Sequence, residues 1–350
     1  MVTNLLPSSD HTQKMPILTI LPWILCAGAL VFAFYEMYTV RAVSANAEKS
    51  CQVVSLRGGG NFTYINPLLA CEVATEQNFH ELSDVRKMIE KYIEAQKKSG
   101  ALTKASVYFR DYTKGEWLTI GGNEHYAPAS LLKVPLMIAY MKIARTDHTL
   151  MAKKLTRTEP RDFNEGVNFK PTNSIKLGES HTIEELIHSI IINSDNNALY
   201  LLNQNIDQQI LNEVYTDLGL SIPTSATPES VDFITAKEYS YFFRILYNAT
   251  YIGRRSSEEA LGLLAQTDFK NGIIQGVPEG TKVAHKFGER EVSDVTPPVR
   301  ELHDCGIIYY PDHPYLLCIM TQGSNYNDLS KTIGDISREV FNTEKNLYQK

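Results

Sequence analysis

The stretch Tyr126-Ala-Pro-Ala-Ser130-Leu-Leu-Lys133-Val-Pro135 carries the only Ser-x-x-Lys of the 350-residue chain. A serine hydroxyl is a weak nucleophile until a base stands within hydrogen-bond reach. Residues three apart share one face of a helix. A helix that opens at Ser130 therefore brings the Lys133 amine one turn along, towards the hydroxyl. The Ser130 backbone N–H is then one of the donors left unpaired at a helix start, suited to an oxyanion. Lys133 acts as a base only if its pKa falls, and burial in a cleft near Lys286 would lower it. Taken alone, the pattern reads equally as an N-capping serine and a surface lysine, since Ser-x-x-Lys arises about once by chance in such a chain.

Two later stretches change its weight. Ser194-Asp195-Asn196, also unique, lies between Ile190-Ile191-Ile192 and Ala198-Leu199-Tyr200-Leu201. The simplest reading is a C-cap followed by an N-cap between two apolar helices. The functional reading has Ser194 pass a proton to a leaving nitrogen, Asn196 hold a substrate amide and Asp195 brace the turn. Val283-Ala-His285-Lys286-Phe287-Gly288-Glu289 reads as a strand with a glycine, a mark of close backbone approach. Substrate laid along an edge strand would account for it, as would a strand ending in a solvated turn. His285 reads as structural.

Outward from these pieces, a helix is expected over roughly Glu81–Lys98, with Leu82, Met88, Ile89, Tyr92 and Ile93 near one face and Gly100 ending it. Strands at Ala105–Asp111 and Glu116–Ile120 flank Thr113-Lys-Gly115 as a hairpin. The helix of Lys133 runs to about Ala144. Residues 152–180 are polar, with Pro160, Pro171, Gly166 and Gly178, and read as a long loop beside the site. Helices follow near Ile183–Ile192, Asn196–Asn203, Gln208–Leu218 and Ala236–Asn248, with an irregular segment at Ser221–Asp232. Strands at Leu302–Tyr310 and Tyr315–Thr321 precede a last helix from about Asp328 to Thr343. This order predicts an α/β (α+β) chain: an antiparallel sheet built from both ends, flanked by helices, with a mostly helical lobe and the site between.

The three motifs, in this order, make the chain resemble the serine β-lactamase/DD-peptidase (penicillin-binding protein) superfamily in its class A β-lactamase-like branch. Context beyond the motifs agrees: Pro128-Ala-Ser130, Ser194-Asp-Asn-Asn-Ala198, Gly276-Val-Pro-Glu-Gly280 and His303-Asp-Cys-Gly306. The resemblance covers about residues 75–345. It implies Ser130 as the acylated nucleophile, Lys133 as its base, Ser194 as proton carrier and Asn196 as amide holder. It further implies that Lys286 steers a substrate carboxylate and that the Ser130 and Glu289 N–H groups form the oxyanion hole, with Phe287 and Gly288 beside the substrate. No cofactor is implied, and no Cys/His spacing resembles a zinc site.

Two departures narrow the expectation. Phe287 stands where the family has a hydroxyl residue, an apolar ring in place of a carboxylate-binding group. The stretch Leu218–Asp232 lacks the family's Glu-x-x-Leu-Asn run, whose glutamate activates the deacylating water. Glu229 and Asp232 are the substitutes at hand, or else simply acidic residues leading a helix. Three readings stay open: a β-lactam hydrolase that turns over slowly, a D-Ala-D-Ala carboxypeptidase acting on peptidoglycan stems, and a hydrolase fold retained only for binding.

The N-terminal region is read separately. Met15 to Tyr35 contains no charge over 21 residues, enough to cross a bilayer. A cleaved signal peptide is the rival, with Ala45-Asn-Ala47 as a cleavage site, but the apolar run is longer than a signal peptide needs and ends well before that site. We therefore expect a cytoplasmic tail at 1–14, a membrane anchor at 15–36, a linker at 37–74 and the catalytic domain at 75–350 outside the cytoplasmic membrane. Of five cysteines, Cys51 and Cys71 would staple a Gly-rich turn if oxidised, or remain buried thiols; Cys305 and Cys318 lie in apolar strand-like runs and read as core, although antiparallel neighbours can pair. Net charge is −6, which gives nucleic acid no purchase as a partner. The oligomeric state is not legible.

Overall fold

The computed structural model describes residues 62–67, 82–223 and 231–348, all within one compact unit spanning Leu56–Lys350. The anchor segment 15–36, Cys51, Cys71 and Glu229 lie outside the described residues. Among the described residues no helix is long and apolar enough to cross a membrane.

Helix α1 (Ser83–Lys98) leads into strands β1 (Lys104–Asp111) and β2 (Trp117–Ile120). A short 3-10 turn, Ala129–Leu132, feeds α2 (Lys133–Ala144), and β3 (Lys154–Thr156) and β4 (Ser180–Thr182) follow. The helical lobe continues with α3 (Ile183–His188), a π-type turn at Ser189–Asn193, α4 (Asn196–Asn203) and α5 (Gln208–Asp217). Then come α6 (Ala236–Tyr247), α7 (Arg254–Leu264), β5 (Val283–Val292), β6 (Val299–Ile308), β7 (Tyr315–Gly323) and α8 (Tyr326–Tyr348).

The main sheet is antiparallel with order β2-β1-β7-β6-β5, so the early hairpin pairs with the last strand and β5 is left at one edge. Its strands are buried on both faces, and alternation sorts their side chains between two cores. Tyr108, Leu316, Cys318 and Met320 face the side of α2 and α6; Val107, Phe109, Leu317 and Ile319 face α1 and α8. Helix α2 is buried almost all round from Lys133 to Tyr140 and forms the centre of the molecule. Thr182 with Glu185, and Thr235 with Glu238, close capping boxes that start α3 and α6.

Several expectations are corrected. The 152–180 stretch is not loop throughout, because its ends pair as the β3–β4 ribbon. The helix expected to Ile192 relaxes into a π-type turn at Ser189, which lets the chain reverse at Ser194 in a left-handed conformation (φ 59°). Helix α7 was not anticipated. Cys305 and Cys318 are directly opposed across β6 and β7 and form a disulfide within the core.

Candidate active site

Ser130 occupies the 3-10 turn rather than the first turn of the α-helix. In a 3-10 turn residues i and i+3 eclipse, so Ser130 and Lys133 project from one side. The first N–H that the turn engages is that of Leu131, on Pro128 O at 2.9 Å, which leaves the Ser130 N–H ahead of the ladder. Ala129 is forced into the left-handed region (φ 47°), an unfavourable conformation for a residue with a Cβ. The surroundings hold it there: Glu301 accepts the Ala127 N–H at 3.1 Å, His303 Nε2 donates to Ala127 O at 3.1 Å, and Tyr239 donates to Leu131 O at 3.0 Å.

Lys133 is fully buried, and its amine contacts Ser194 O at 2.6 Å, Ser194 Oγ at 3.0 Å and Asn196 Oδ1 at 2.7 Å. Lys286, also fully buried, reaches the same Ser194 Oγ at 3.0 Å and Phe287 O at 3.1 Å. Two amines thus converge on one hydroxyl. Burial, and then the charge of Lys286, hold the Lys133 amine well below the usual lysine range. Burial brings Lys286 down to about 7, against the opposing pull of Asp304, Asp268 and Glu289. A neutral lysine both donates and accepts, so the line Lys133–Ser194–Lys286 is able to pass a proton in either direction.

Asp195 is wholly buried and accepts five donors: Asn164 Nδ2, Ser174 Oγ, Asn197 N–H, Ile175 N–H and Ser189 Oγ, between 2.7 and 3.1 Å. It ties the Ser194 turn to residues 164–175. Asn196 is engaged on both sides of its amide, giving Nδ2 to Phe163 O at 3.2 Å.

Strand β5 closes the site. His285 O is taken by Thr267 Oγ1 at 2.8 Å and Phe287 O by Lys286, both off the free edge. By strand alternation the N–H of Glu289 leaves the same edge, beside the Ser130 turn. Gly288 accounts for that proximity, since a Cβ there would meet Pro128 O at 2.9 Å and Leu131 Cγ at 3.0 Å. A close approach at this glycine is thus made by the Ser130 turn. Behind β5, His285 Nδ1 lies 2.9 Å from Asp304 Oδ1 in the core, a structural pair.

Three of the expected residues sit as follows. Phe287 is buried, stacked on Phe269 at 3.9 Å between centroids, and offers substrate no open face. Lys286 is fully buried and donates to Ser194 Oγ and Phe287 O. Asp232 bonds Arg290 at 2.8 Å and lies 3.6 Å from Lys104, a carboxylate already neutralised by two cations. The hydrogen bonds that Phe163, Asn164 and Phe169 bring to the site were not anticipated; the one signal was two phenylalanines in an otherwise polar stretch. A cavity of about 850 Å³ between α2, α3 and α7, lined by Met141, Arg145, Glu184, His188, Arg255 and Gln266, shares none of these residues.

A model of the β-lactamase enzyme family matches residues 84–343. The structure is similar to that of a mutant of PBP-A in an acyl-enzyme complex with penicillin G, at 20% identity and TM-score 0.61, covering 76% of this chain and 97% of that one. It is also similar to a β-lactamase from Sphaerobacter thermophilus (22% identity, TM-score 0.61, 74% and 96%) and to one from Chitinophaga pinensis (18%, 0.63, 74% and 99%). No curated protein matches. The chain belongs to the β-lactamase enzyme family and is a serine hydrolase.

Proposed function

We propose that the protein is a class A-like enzyme that forms an acyl-enzyme at Ser130 with β-lactams and releases it slowly. The convergence of Lys133 and Lys286 on Ser194 beside Ser130 carries this reading. Ser130 Oγ attacks the lactam carbonyl as its proton leaves for the neutral Lys133 amine. The carbonyl oxygen takes up negative charge against the Ser130 and Glu289 N–H groups. The C–N bond then breaks, and the Ser194 hydroxyl gives its proton to the departing nitrogen. Lys133 or Lys286 restores that proton through the same contacts. Atoms balance, and one covalent ester remains on the enzyme. Slow release is supported by the engagement of Asp232 with two cations, Arg290 and Lys104, which makes it a poorer base towards water. That observation also favours the second reading, a D-Ala-D-Ala carboxypeptidase of peptidoglycan stems, as does the likeness to a penicillin-binding protein captured with penicillin G.

The reading includes an anchor at 15–36 with the catalytic domain outside the membrane. It is supported by the uncharged run in the sequence and by the Cys305–Cys318 bond, which belongs in an oxidising compartment. Mass spectrometry of the protein with benzylpenicillin over time tests the function. A mass adduct on Ser130, absent in Ser130→Ala, is expected, persisting over many minutes. Absence of any adduct and of any turnover overturns it. Release of D-alanine from a D-Ala-D-Ala peptide would decide for the carboxypeptidase.

A further inference from the structure

Residues Phe163–Phe169 join the two walls of the site. At one end the Phe163 N–H bonds Asn197 Oδ1 at 2.9 Å, Asn164 Oδ1 accepts the Asn196 N–H at 2.8 Å, and the Phe163 ring stacks on Tyr200 at 4.5 Å. At the other end the Glu289 carboxylate accepts the Phe169 N–H at 2.8 Å and the Asn168 N–H at 3.1 Å, one oxygen to each. The Phe169 ring lies edge-on to Phe269, Tyr326 and Phe287 at 5.1, 5.6 and 6.1 Å. Only Glu165-Gly-Val167 lie between, so this strap crosses from the Asn196 wall to the free edge of β5. It also engages the group expected to hold a substrate amide, because Asn196 Nδ2 already donates to Phe163 O.

We infer that the Glu289 carboxylate, apart from its backbone N–H, is a specificity-determining positioning group that pins the strap across the cleft and favours acyl donors with a small substituent beside the reacting carbonyl. The inference rests on the acyl-enzyme reading above. A donor lying along β5 must pass beneath residues 165–168. A small one fits while the strap stays bonded, whereas a bulky one first requires release of Asn168 and Phe169. Two backbone N–H groups held by one carboxylate form charge-assisted bonds, stronger than neutral ones. Glutamate at 289 thus gives the strap a firmer hold than any uncharged side chain would.

The test compares the full-length protein with Glu289→Ala and Glu289→Gln. Acylation rate constants are measured by mass spectrometry with 6-aminopenicillanic acid, which has no acyl side chain, and with benzylpenicillin, which has a bulky one. Amide hydrogen exchange at Asn168 and Phe169 is followed in parallel. In Glu289→Ala we expect exchange there to quicken, and the benzylpenicillin to 6-aminopenicillanic acid rate ratio to rise, each by at least about tenfold. Glu289→Gln, which keeps one acceptor oxygen, is expected to fall between. Labelling with a ratio unchanged within about twofold, or exchange unchanged in Glu289→Ala, overturns the inference alone. Absence of labelling by either compound in all three proteins overturns the acyl-enzyme reading, and the inference with it.

Discussion

Lys133 and Lys286 are two amines buried where neither is readily charged, and this sets both activity and stability. In the line Lys133–Ser194–Lys286 the Ser194 proton is restored by whichever amine carries a charge, so the acylation rate should change with pH through about 7, where Lys286 deprotonates. A pH–rate profile of covalent labelling that is flat from pH 5 to 8 would contradict this. The stability consequence has a definite sign. Lys286 holds its proton to about 7 when folded, against 10.5 as an ordinary lysine. The unfolded chain therefore binds the extra proton between those values, and stability should rise with pH across that window. Below pH 7 the burial cost is undiminished. Lys286→Met should accordingly be more stable to heat at pH 6, its unfolding free energy higher by on the order of 1–2 kcal/mol, while losing most of its acylation rate. Calorimetry and labelling on the same sample separate the two effects. At this scale the sequence was informative. The lysines, the serines and Asp195 were legible because each motif constrains residue type at fixed spacing. The mutual contacts were not: Lys133 meets Ser194 and Asn196, 61 and 63 residues away, and only tertiary packing arranges that.

At the scale of elements, the site depends on how closely β5 meets the 3-10 turn. Gly288→Ala would place a methyl 2.9 Å from Pro128 O and 3.0 Å from Leu131 Cγ, so strand and turn must part by a few tenths of an ångström. Because small misplacements of reacting groups carry large kinetic penalties, we expect a loss of acylation of roughly 10²-fold. Melting temperature should move far less. A substitution that lowers stability and acylation in proportion would argue against this account. Ala129→Gly is the complement, since glycine accepts φ 47° without strain and should stabilise by about 1 kcal/mol. Legibility here was uneven. Helices α1, α2 and α6 showed themselves by apolar periodicity or by their caps. Helix α7 did not, because Gly253 supplies no side-chain cap, its first turns read Arg-Arg-Ser-Ser-Glu-Glu, and Gly262 interrupts the apolar half. The strap was read as loop, correctly in backbone, but its function rests on bonds between backbone and distant side chains, which leave no periodic trace.

Over the whole molecule, α8 packs the last part of the chain onto β7, β6 and α1, and Tyr348 at its end bonds Asp111 of β1. Glu344 near its end is buried, with Oε2 lacking a hydrogen-bond partner among the described residues, and burial together with nearby Asp111 raises its pKa to about 8. A carboxyl that keeps its proton when folded but loses it near 4.5 when unfolded weakens the fold as pH rises from about 4.5 to about 8. Glu344→Gln should therefore raise the melting temperature at pH 8 by several degrees and leave it unchanged at pH 4. An equal shift at both pH values would show that charge is not the cause. The overall architecture was legible from the order of strands and helices, and the antiparallel sheet drawn from both ends is present. The Cys305–Cys318 pairing was left open because it depends on register. Once Ile308 faces Tyr315, the two cysteines stand opposite.

That same sheet bears on how the protein is made. Strand β1 has only β2 on one side until β7 arrives, and the residues that pair, from Lys104 with Gln322 to Asp111 with Tyr315, are some two hundred positions apart. While the ribosome is still adding residues before Tyr315, β1 has no partner on its β7 side, and the apolar face that α8 will cover stays open. A nascent chain in this condition remains a pliable thread rather than a folded body. Late closure of the sheet thus holds back the domain's final shape until its last strand and helix have been made.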